Sequence, residues 1–589
     1  MSLERKLKYR KDIDGLRAIS VIAVILFHMG LCKYGYLGVD VFFVISGFLI
    51  TSLLYIDLQD DSVSIWVFYM RRIRRILPLV LVVSFVALII GIIVMLPYDL
   101  DKLCQSIIAT NLFGNNLLEY VSSGDYWSIR NEYKPLMHTW SLGIEEQFYL
   151  AYPFLFVVAM RLDYVSKNLL SIISVIAIAS FALFVWSDSS QAVFYLLPFR
   201  FFEIAIGGIV AITMIKHRLS TRSITLLVVA TLLTIAISVL YLELEKYIVV
   251  VVVAMVALHL FLYKHFGSVS RIFFENPIIV AIGQWSFSLY MWHQLLLAYF
   301  RYTVSAEISG FVTGVMLFVF LGISYLSYRF IEQPFRKRNS WSDKKVLFVL
   351  AGLFLVTTVP STMIYMKGGV VKSFPELDIN YGDSYRNMHL DYNTQHLSLD
   401  KPFSNSDQKK ILVIGNSFAR DWINVLYESG YKNAIEISYL PTFEDKANDR
   451  LAGADIVFSF GINKAEMMSR IEGADIHISK FWSIGVKNYG ENNGIIYAKR
   501  NTPDYCTRRI KPNNGAINRS HLLKESWGDR YIDLMRLSMD EQGEVSVFDS
   551  QCQFISQDGL HFTKAGAKYY ASLLAQESTV PNFKNMFDN

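Results

Sequence analysis

Arg17-Ala18-Ile19-Ser20-Val21-Ile22-Ala23-Val24-Ile25-Leu26-Phe27-His28 sets the class of the chain. An apolar run follows a charged leader, Met1 to Arg17, yet it carries an arginine at one end and a histidine at the other. The leader lacks the pattern of a cleaved signal peptide, so the run is expected to be retained as a first membrane span. At about 100° per residue, eleven steps bring Arg17 and His28 to within roughly 20° of one helix face, about 16 Å apart along the axis. Charged side chains inside a span are costly and turn toward the bundle interior or a watery cavity. The pair therefore suits a path from a cytoplasmic mouth to mid-bilayer, with an anion-binding group at its entrance and a base deeper in.

Composition extends this reading to half the molecule. Of 589 residues, 53% are hydrophobic and 18% charged, where a soluble domain carries roughly a quarter charged. The excess lies before about residue 366, in blocks near the ~20 residues that cross a bilayer. Eleven spans are expected, near 17–30, 38–56, 76–97, 141–160, 168–186, 193–214, 223–242, 247–263, 277–300, 309–331 and 345–366. With the N-terminus inside, the inner loops hold roughly 22 Lys/Arg and the outer ones about 6, in the sense of the positive-inside rule. An odd count leaves the C-terminal half outside the cytoplasm. There Cys506 and Cys552 can pair, and Cys32 and Cys104 sit near outward-facing ends; buried thiols are the alternative for each. The net charge of +5 implies no nucleic-acid partner.

Two more polar clusters interrupt the apolar blocks. In Tyr69-Met70-Arg71-Arg72-Ile73-Arg74-Arg75-Ile76-Leu77-Pro78, Arg72 and Arg75 at i and i+3 can offer two guanidinium forks to a phosphate-bearing ligand, while other arginines set topology. His138-Thr139-Trp140-Ser141-Leu142-Gly143-Ile144-Glu145-Glu146-Gln147-Phe148-Tyr149 opens the fourth span with His138, Ser141 and Glu145 about a turn apart; His138 and Glu145 are candidates for donor binding or transfer. Asp40, Arg200, Glu203, His293 and Glu332 add further in-span polar groups. Such density points to a polar cavity.

These segments resemble the acyltransferase-3 family of integral membrane acyltransferases. The resemblance rests on Arg17-x10-His28, Gly38-Val39-Asp40-Val41-Phe42-Phe43-Val44-Ile45-Ser46-Gly47-Phe48-Leu49-Ile50, the Arg71–Pro78 run, His138–Tyr149, Trp285-Ser286-Phe287-Ser288-Leu289-Tyr290-Met291-Trp292-His293 and Tyr328-Arg329-Phe330-Ile331-Glu332-Gln333-Pro334-Phe335-Arg336. It implies a ten-helix unit that uses a cytoplasmic acyl-CoA, usually acetyl-CoA. It also implies an essential His28, with Arg17, Arg72 and Arg75 needed for donor binding or transfer. The family often follows its Tyr-x-Trp-His with Trp-Pro; here Gln294-Leu295 follow His293, and His293 is assigned no chemical role.

The second half reads as a soluble domain. Lys410-Ile411-Leu412-Val413-Ile414-Gly415-Asn416-Ser417-Phe418-Ala419-Arg420-Asp421-Trp422 is a buried strand, a glycine turn and a helix, with Ser417 at the helix start near backbone N–H groups. A second strand, Ile456–Phe460, ends in Gly461-Ile462-Asn463, and Asp558-Gly559-Leu560-His561 places a carboxylate three residues from an imidazole. An Asp so placed can orient the His as a base for the Ser. In this order the blocks resemble the SGNH hydrolase family, an α/β/α sandwich. The resemblance implies Ser417 as nucleophile, His561 as base, Asp558 as its orienter and Asn463 as oxyanion donor. The usual Gly-Asp-Ser is here Gly415-Asn416-Ser417, and the family's second glycine is unassigned.

The expected organisation is an acyltransferase-3 domain over 1–340, an eleventh helix over 341–366, a linker or extension over 367–409 and an SGNH domain over 410–589. Together the two resemblances imply a bacterial glycan O-acetyltransferase of the inner membrane, with a cytoplasmic N-terminus and a periplasmic SGNH domain. The donor would be acetyl-CoA, without a metal. The acceptor would be a lipid-linked or surface glycan, lipopolysaccharide O-antigen first and peptidoglycan second. A transporter of acyl groups or glycolipids with a binding-only SGNH domain, and an esterase, are the alternatives from other classes.

Overall fold

The computed structural model describes residues 9–122, 131–216, 243–263, 268–337, 341–382, 391–443, 447–472, 476–490 and 492–576. The chain forms two compact units. The first comprises residues 1–93, 102–301 and 307–363; the second comprises 364–589 together with the short segments 94–101 and 302–306.

In the first unit, helices occupy ten of the expected spans: Lys11–His28, Gly38–Gln59, Ile65–Val94, Trp140–Arg161, Asp163–Trp186, Leu197–Lys216, Leu244–Leu262, Pro277–Thr303, Gly310–Ser327 and Asp343–Met366. The span expected at 223–242 lies outside the described residues. Seven helices among the described residues are long and apolar enough to cross a membrane. Lys11–His28, Trp140–Arg161 and Pro277–Thr303 are not among them, because they bear Asp12, Asp14 and Arg17, Glu145 and Glu146, and His293, Gln294 and Arg301. Those are the helices whose polar groups turn inward.

Gly38–Gln59 is the central helix, 72% of its apolar window being buried against 17% for Asp343–Met366. It packs backbone to backbone on Leu197–Lys216. A Cβ on Gly47 would lie 1.8 Å from the Ile204 carbonyl oxygen, and one on Gly207 2.0 Å from that of Val44. Small residues at a helix crossing permit this approach, the usual device where lipid offers no hydrophobic drive for association.

The second unit is built on strands β1 (Lys409–Ile414), β2 (Ile435–Leu440), β3 (Ile456–Phe460), β4 (Phe481–Ile484), β5 (Arg509–Ile510), β6 (Tyr531–Ile532) and β7 (Val545–Ser546). The parallel sheet runs β2-β1-β3-β4-β6, and β5 pairs antiparallel with β7. Alternation along β1 decides what covers each face. Ile411 and Val413 join one core with Trp422, Ile423 and Tyr570, from helices Ser417–Glu428 and Lys564–Ala575. Leu412 and Ile414 join another with Leu451, Met467, Leu523 and Trp527, from three other helices. Helices thus cover both faces, as a buried parallel sheet requires. The order places a switch point between β1 and β3, where such sheets bind ligands outside the carboxyl ends of their strands. One disulfide joins Cys506 to Cys552; Cys32 and Cys104 form no bridge.

Candidate functional site

Each unit carries its own constellation. In the second, β1 ends at the turn Gly415-Asn416-Ser417. Gly415 takes φ +141°, a conformation that side chains rarely adopt, and this lets the chain reverse sharply into the Ser417–Glu428 helix. Asn416 caps that helix, its Oδ1 accepting from Phe418 N at 3.2 Å. Ser417 Oγ lies 2.9 Å from His561 Nε2, and His561 Nδ1 lies 2.6 Å from Asp558 Oδ2. The other Asp558 oxygen accepts from Leu560 N at 2.9 Å and His561 N at 2.8 Å. One carboxylate therefore shapes the turn and holds the ring. Burial pushes the Asp558 carboxyl up, but the His561 ring and these backbone donors outweigh it and hold the group below its ordinary value. Asn463 caps the Lys464–Arg470 helix through Oδ1, 2.8 Å from Glu466 N; that bond leaves its amide nitrogen as a donor.

Behind this row lies an ion pair that the sequence reading did not single out. Asp421 and Lys487 are both about 99% buried and bonded to each other. Asp421 also accepts from Phe562 N at 2.9 Å and pairs with Arg420. The Lys487 ammonium lies 4.0 Å from the Phe562 ring and 4.6 Å from that of Phe418. The pair thus grips the residues next to His561 and Ser417. Burial pushes the ammonium down to about 8 against the pull of Asp421. Burial also acts to raise Asp421, but Lys487 and Arg420 prevail and hold it low.

Among the described residues, a larger and a smaller cavity of the first unit gather its candidate side chains, about 800 and 450 Å³ with the solvent-open space at their mouths included. Arg17, Arg72, Arg75 and Glu145 line the larger with Ser46 and Tyr149. Tyr149 Oη lies 2.5 Å from Ser46 Oγ and 3.3 Å from Glu145 Oε2. Arg72 Nε is buried without a hydrogen-bond partner among the described residues. Arg74 is turned away: it bonds Asp343 at 2.6 and 3.1 Å and the carbonyls of Phe335 and Trp341. The arginine run divides accordingly, with Arg72 and Arg75 at the cavity and Arg74 serving the packing of Asp343–Met366.

His28 lines the smaller cavity with His138, Asp40 and Arg200. Ring centroids of His28 and His293 are 5.2 Å apart, and those of His138 and His293 5.3 Å. His293, given no role from the sequence, thus lies in ring contact with both. Its Nδ1 is 2.6 Å from the Tyr290 carbonyl, and its Nε2 is buried without a hydrogen-bond partner among the described residues. The sequence signal was its place in Tyr290-x-Trp292-His293; the missing Trp-Pro after it concealed that signal. His138 and Glu145, read together from the sequence, face different cavities. The helix start carries His138 to the histidines, and the next turns carry Glu145 to the arginines.

Arginines facing a cavity, a neighbouring histidine cluster and a separate Ser-His-Asp row fit a membrane protein built for group transfer. The chain belongs to the acyltransferase-3 family, whose model, described as "Acyltransferase domain", matches residues 10–329. It is a multi-pass membrane protein. "Putative O-acetyltransferase SAR0937" of Staphylococcus aureus (strain MRSA252) is 28% identical over 463 residues, covering 71% of this chain and 75% of the relative. "O-acetyltransferase OatA" of Staphylococcus aureus (strain NCTC 8325 / PS 47) is 29% identical over 384 residues, covering 61% of this chain and 63% of the relative. No solved structure matches the chain.

Proposed function

We propose that the protein is a glycan O-acetyltransferase that moves an acetyl group from cytoplasmic acetyl-CoA, across the inner membrane, to a hydroxyl of a surface glycan. The observation that carries this reading is a hydrogen-bonded Ser417–His561–Asp558 row in the same chain as an acyltransferase-3 region. The O-acetyltransferase names of the relatives support it. In this reading Arg17, Arg72 and Arg75 take the phosphates of the donor, Glu145 and His138 assist transfer, and His28 is the essential base or acyl acceptor. Asp343–Met366 is the eleventh span and puts the second unit, an SGNH domain, in the periplasm.

The chemistry at Ser417 follows from its neighbours. His561 Nε2 takes the Ser417 proton as Oγ attacks the acetyl carbonyl, and Asp558 stabilises the imidazolium. Backbone N–H groups at the helix start and the Asn463 amide receive the oxyanion. His561 returns the proton to the leaving group. The acceptor hydroxyl then gives its proton to His561 as it attacks the ester carbonyl, and His561 returns that proton to Ser417 Oγ as the serine leaves. In sum, acetyl-CoA and an alcohol become an acetyl ester and free CoA thiol. A binding-only domain needs no such row, which disfavours a transporter, and a plain esterase leaves the arginine cavity without a task.

The test is the ester-linked acetate of cells carrying wild type, His28→Ala or Ser417→Ala, measured in both lipopolysaccharide and peptidoglycan. Loss in one fraction with both substitutions supports the relay and identifies the acceptor, O-antigen being expected. Full acetylation with Ser417→Ala would remove the covalent role of the second unit.

A further inference from the structure

The arginine and histidine cavities have different linings but a common wall. Arg17, Arg72, Arg75 and Glu145 face the first alone, and His28 and His138 the second alone; Val39 and Tyr290 line both. Each of these two is only 9% exposed. Neither is free to swing aside. Val39 is β-branched and sits in the first turn of Gly38–Gln59, where a helix leaves one preferred rotamer. Tyr290 Oη is held at 2.7 Å by both Ser141 Oγ and the His138 carbonyl. Its ring lies 5.1 Å from that of His138 and 5.5 Å from that of His293.

We propose that Val39 and Tyr290 form an acyl-size filter between the donor cavity and His28, passing acetyl and rejecting longer acyl groups. The inference rests on the acyl-CoA reading above. The guanidinium groups are on the far side of the wall, so the phosphates of the donor stay there and only the acyl end reaches His28. The thioester C–S bond breaks, the acyl carbon bonds to an acceptor oxygen, and the hydroxyl proton leaves with the thiol. Nothing in Val39 or the Tyr290 ring offers a longer chain a polar contact, so selection is steric. A steric pocket discriminates by about 10- to 200-fold per methylene.

The test uses membranes bearing the full chain, given acetyl-, propionyl- or butyryl-CoA, and measures each ester formed on the glycan. The readout is the ratio of long to short acyl transfer within one preparation, which cancels differences in folded amount. Wild type should favour acetyl. Val39→Ala should raise the butyryl-to-acetyl ratio about tenfold or more, and Val39→Leu should lower the propionyl-to-acetyl ratio. Tyr290→Phe, which keeps the ring but frees it from Ser141 and His138, should raise the ratio less than Val39→Ala. Ratios unchanged in all three variants, or no acetyl preference in wild type, overturn the filter. Wild type silent with every donor removes the acyl-CoA reading itself, and the filter with it.

Discussion

Asp558→Asn separates the two tasks of one carboxylate. Oδ1 holds the backbone N–H groups of Leu560 and His561, and Oδ2 holds the ring at 2.6 Å. Asparagine keeps one oxygen for the backbone, so the turn survives, and puts an amide NH2 where the ring had its acceptor. Nδ1 must then accept, and the proton of a neutral imidazole moves to Nε2, 2.9 Å from Ser417 Oγ. A protonated Nε2 takes no proton from serine, and the charge that stabilised the imidazolium is gone as well. The same exchange in a serine-protease triad lowers turnover ~10⁴-fold, which at ~1.36 kcal/mol per decade is about 5.5 kcal/mol of transition-state stabilisation. The measurement is the rate of Ser417 acetylation by an aryl acetate in the purified full chain, with Ser417→Ala as the blank. Thermal unfolding checks that the turn is intact. An asparagine variant that unfolds like wild type yet reacts within tenfold of it refutes Asp558 as the group that sets the tautomer of His561.

Replacing Cys506 and Cys552 together by serine removes a cross-link between residues 46 apart. The chain-entropy relation makes this about 4 kcal/mol, read as a lower denaturant midpoint for the second unit; a loss under ~1 kcal/mol contradicts it. Arg74→Ala should lower the unfolding temperature of the membrane unit, because it breaks a two-pronged bond to Asp343 worth roughly 1.5–3 kcal/mol. Arg75→Ala should instead raise the KM for acyl-CoA about tenfold with little change in unfolding, and equal effects of the two on KM count against the division. Asp421 and Asp558 are held below their ordinary values in the folded state. Their contribution is therefore present above the unfolded value near 4 and lost as pH falls through the folded one. Denaturant titrations of wild type should steepen in pH dependence below about pH 4, and Asp421→Asn should soften that decline.

Much of the fold was legible because solvent writes itself into sequence. Ten of the expected spans are helices, and β1 with its serine turn falls where alternation and glycine put it. The Asp558-x-x-His561 turn was equally readable, since both partners and the backbone they grip lie within four residues. What escaped was set by long-range pairing. Nothing near Lys487 in the sequence indicates that it meets Asp421, 66 positions earlier. Nor does helical spacing show that His138 joins His28 rather than Glu145. His293 was discounted because a flanking motif was missing, although its helix, not that motif, delivers the ring to the cluster.

Buried charges in this chain sort by what satisfies them. Arg200 bonds Asp40 at 2.7 Å and Glu203 at 2.9 Å, Arg74 bonds Asp343, and Lys487 bonds Asp421. Each of these cations has a protein partner, and a buried charge needs one to remain ionised without great cost. Arg72 and His293 differ: among the described residues, Arg72 Nε and His293 Nε2 are buried polar atoms without a hydrogen bond. Leaving such an atom unpaired costs about 1–3 kcal/mol; Arg72 lines the arginine cavity, and His293 lies in ring contact with His28 and His138, which line the other. A cost of that size, carried beside Arg17 in one cavity and His28 in the other, is what a ligand-binding role for Arg72 and His293 predicts. A phosphate at Arg72 and an acyl carbonyl or a proton at the histidines would supply the missing partners. Donor binding should then stabilise the membrane unit, and Arg72→Ala should abolish that gain while costing the empty protein little.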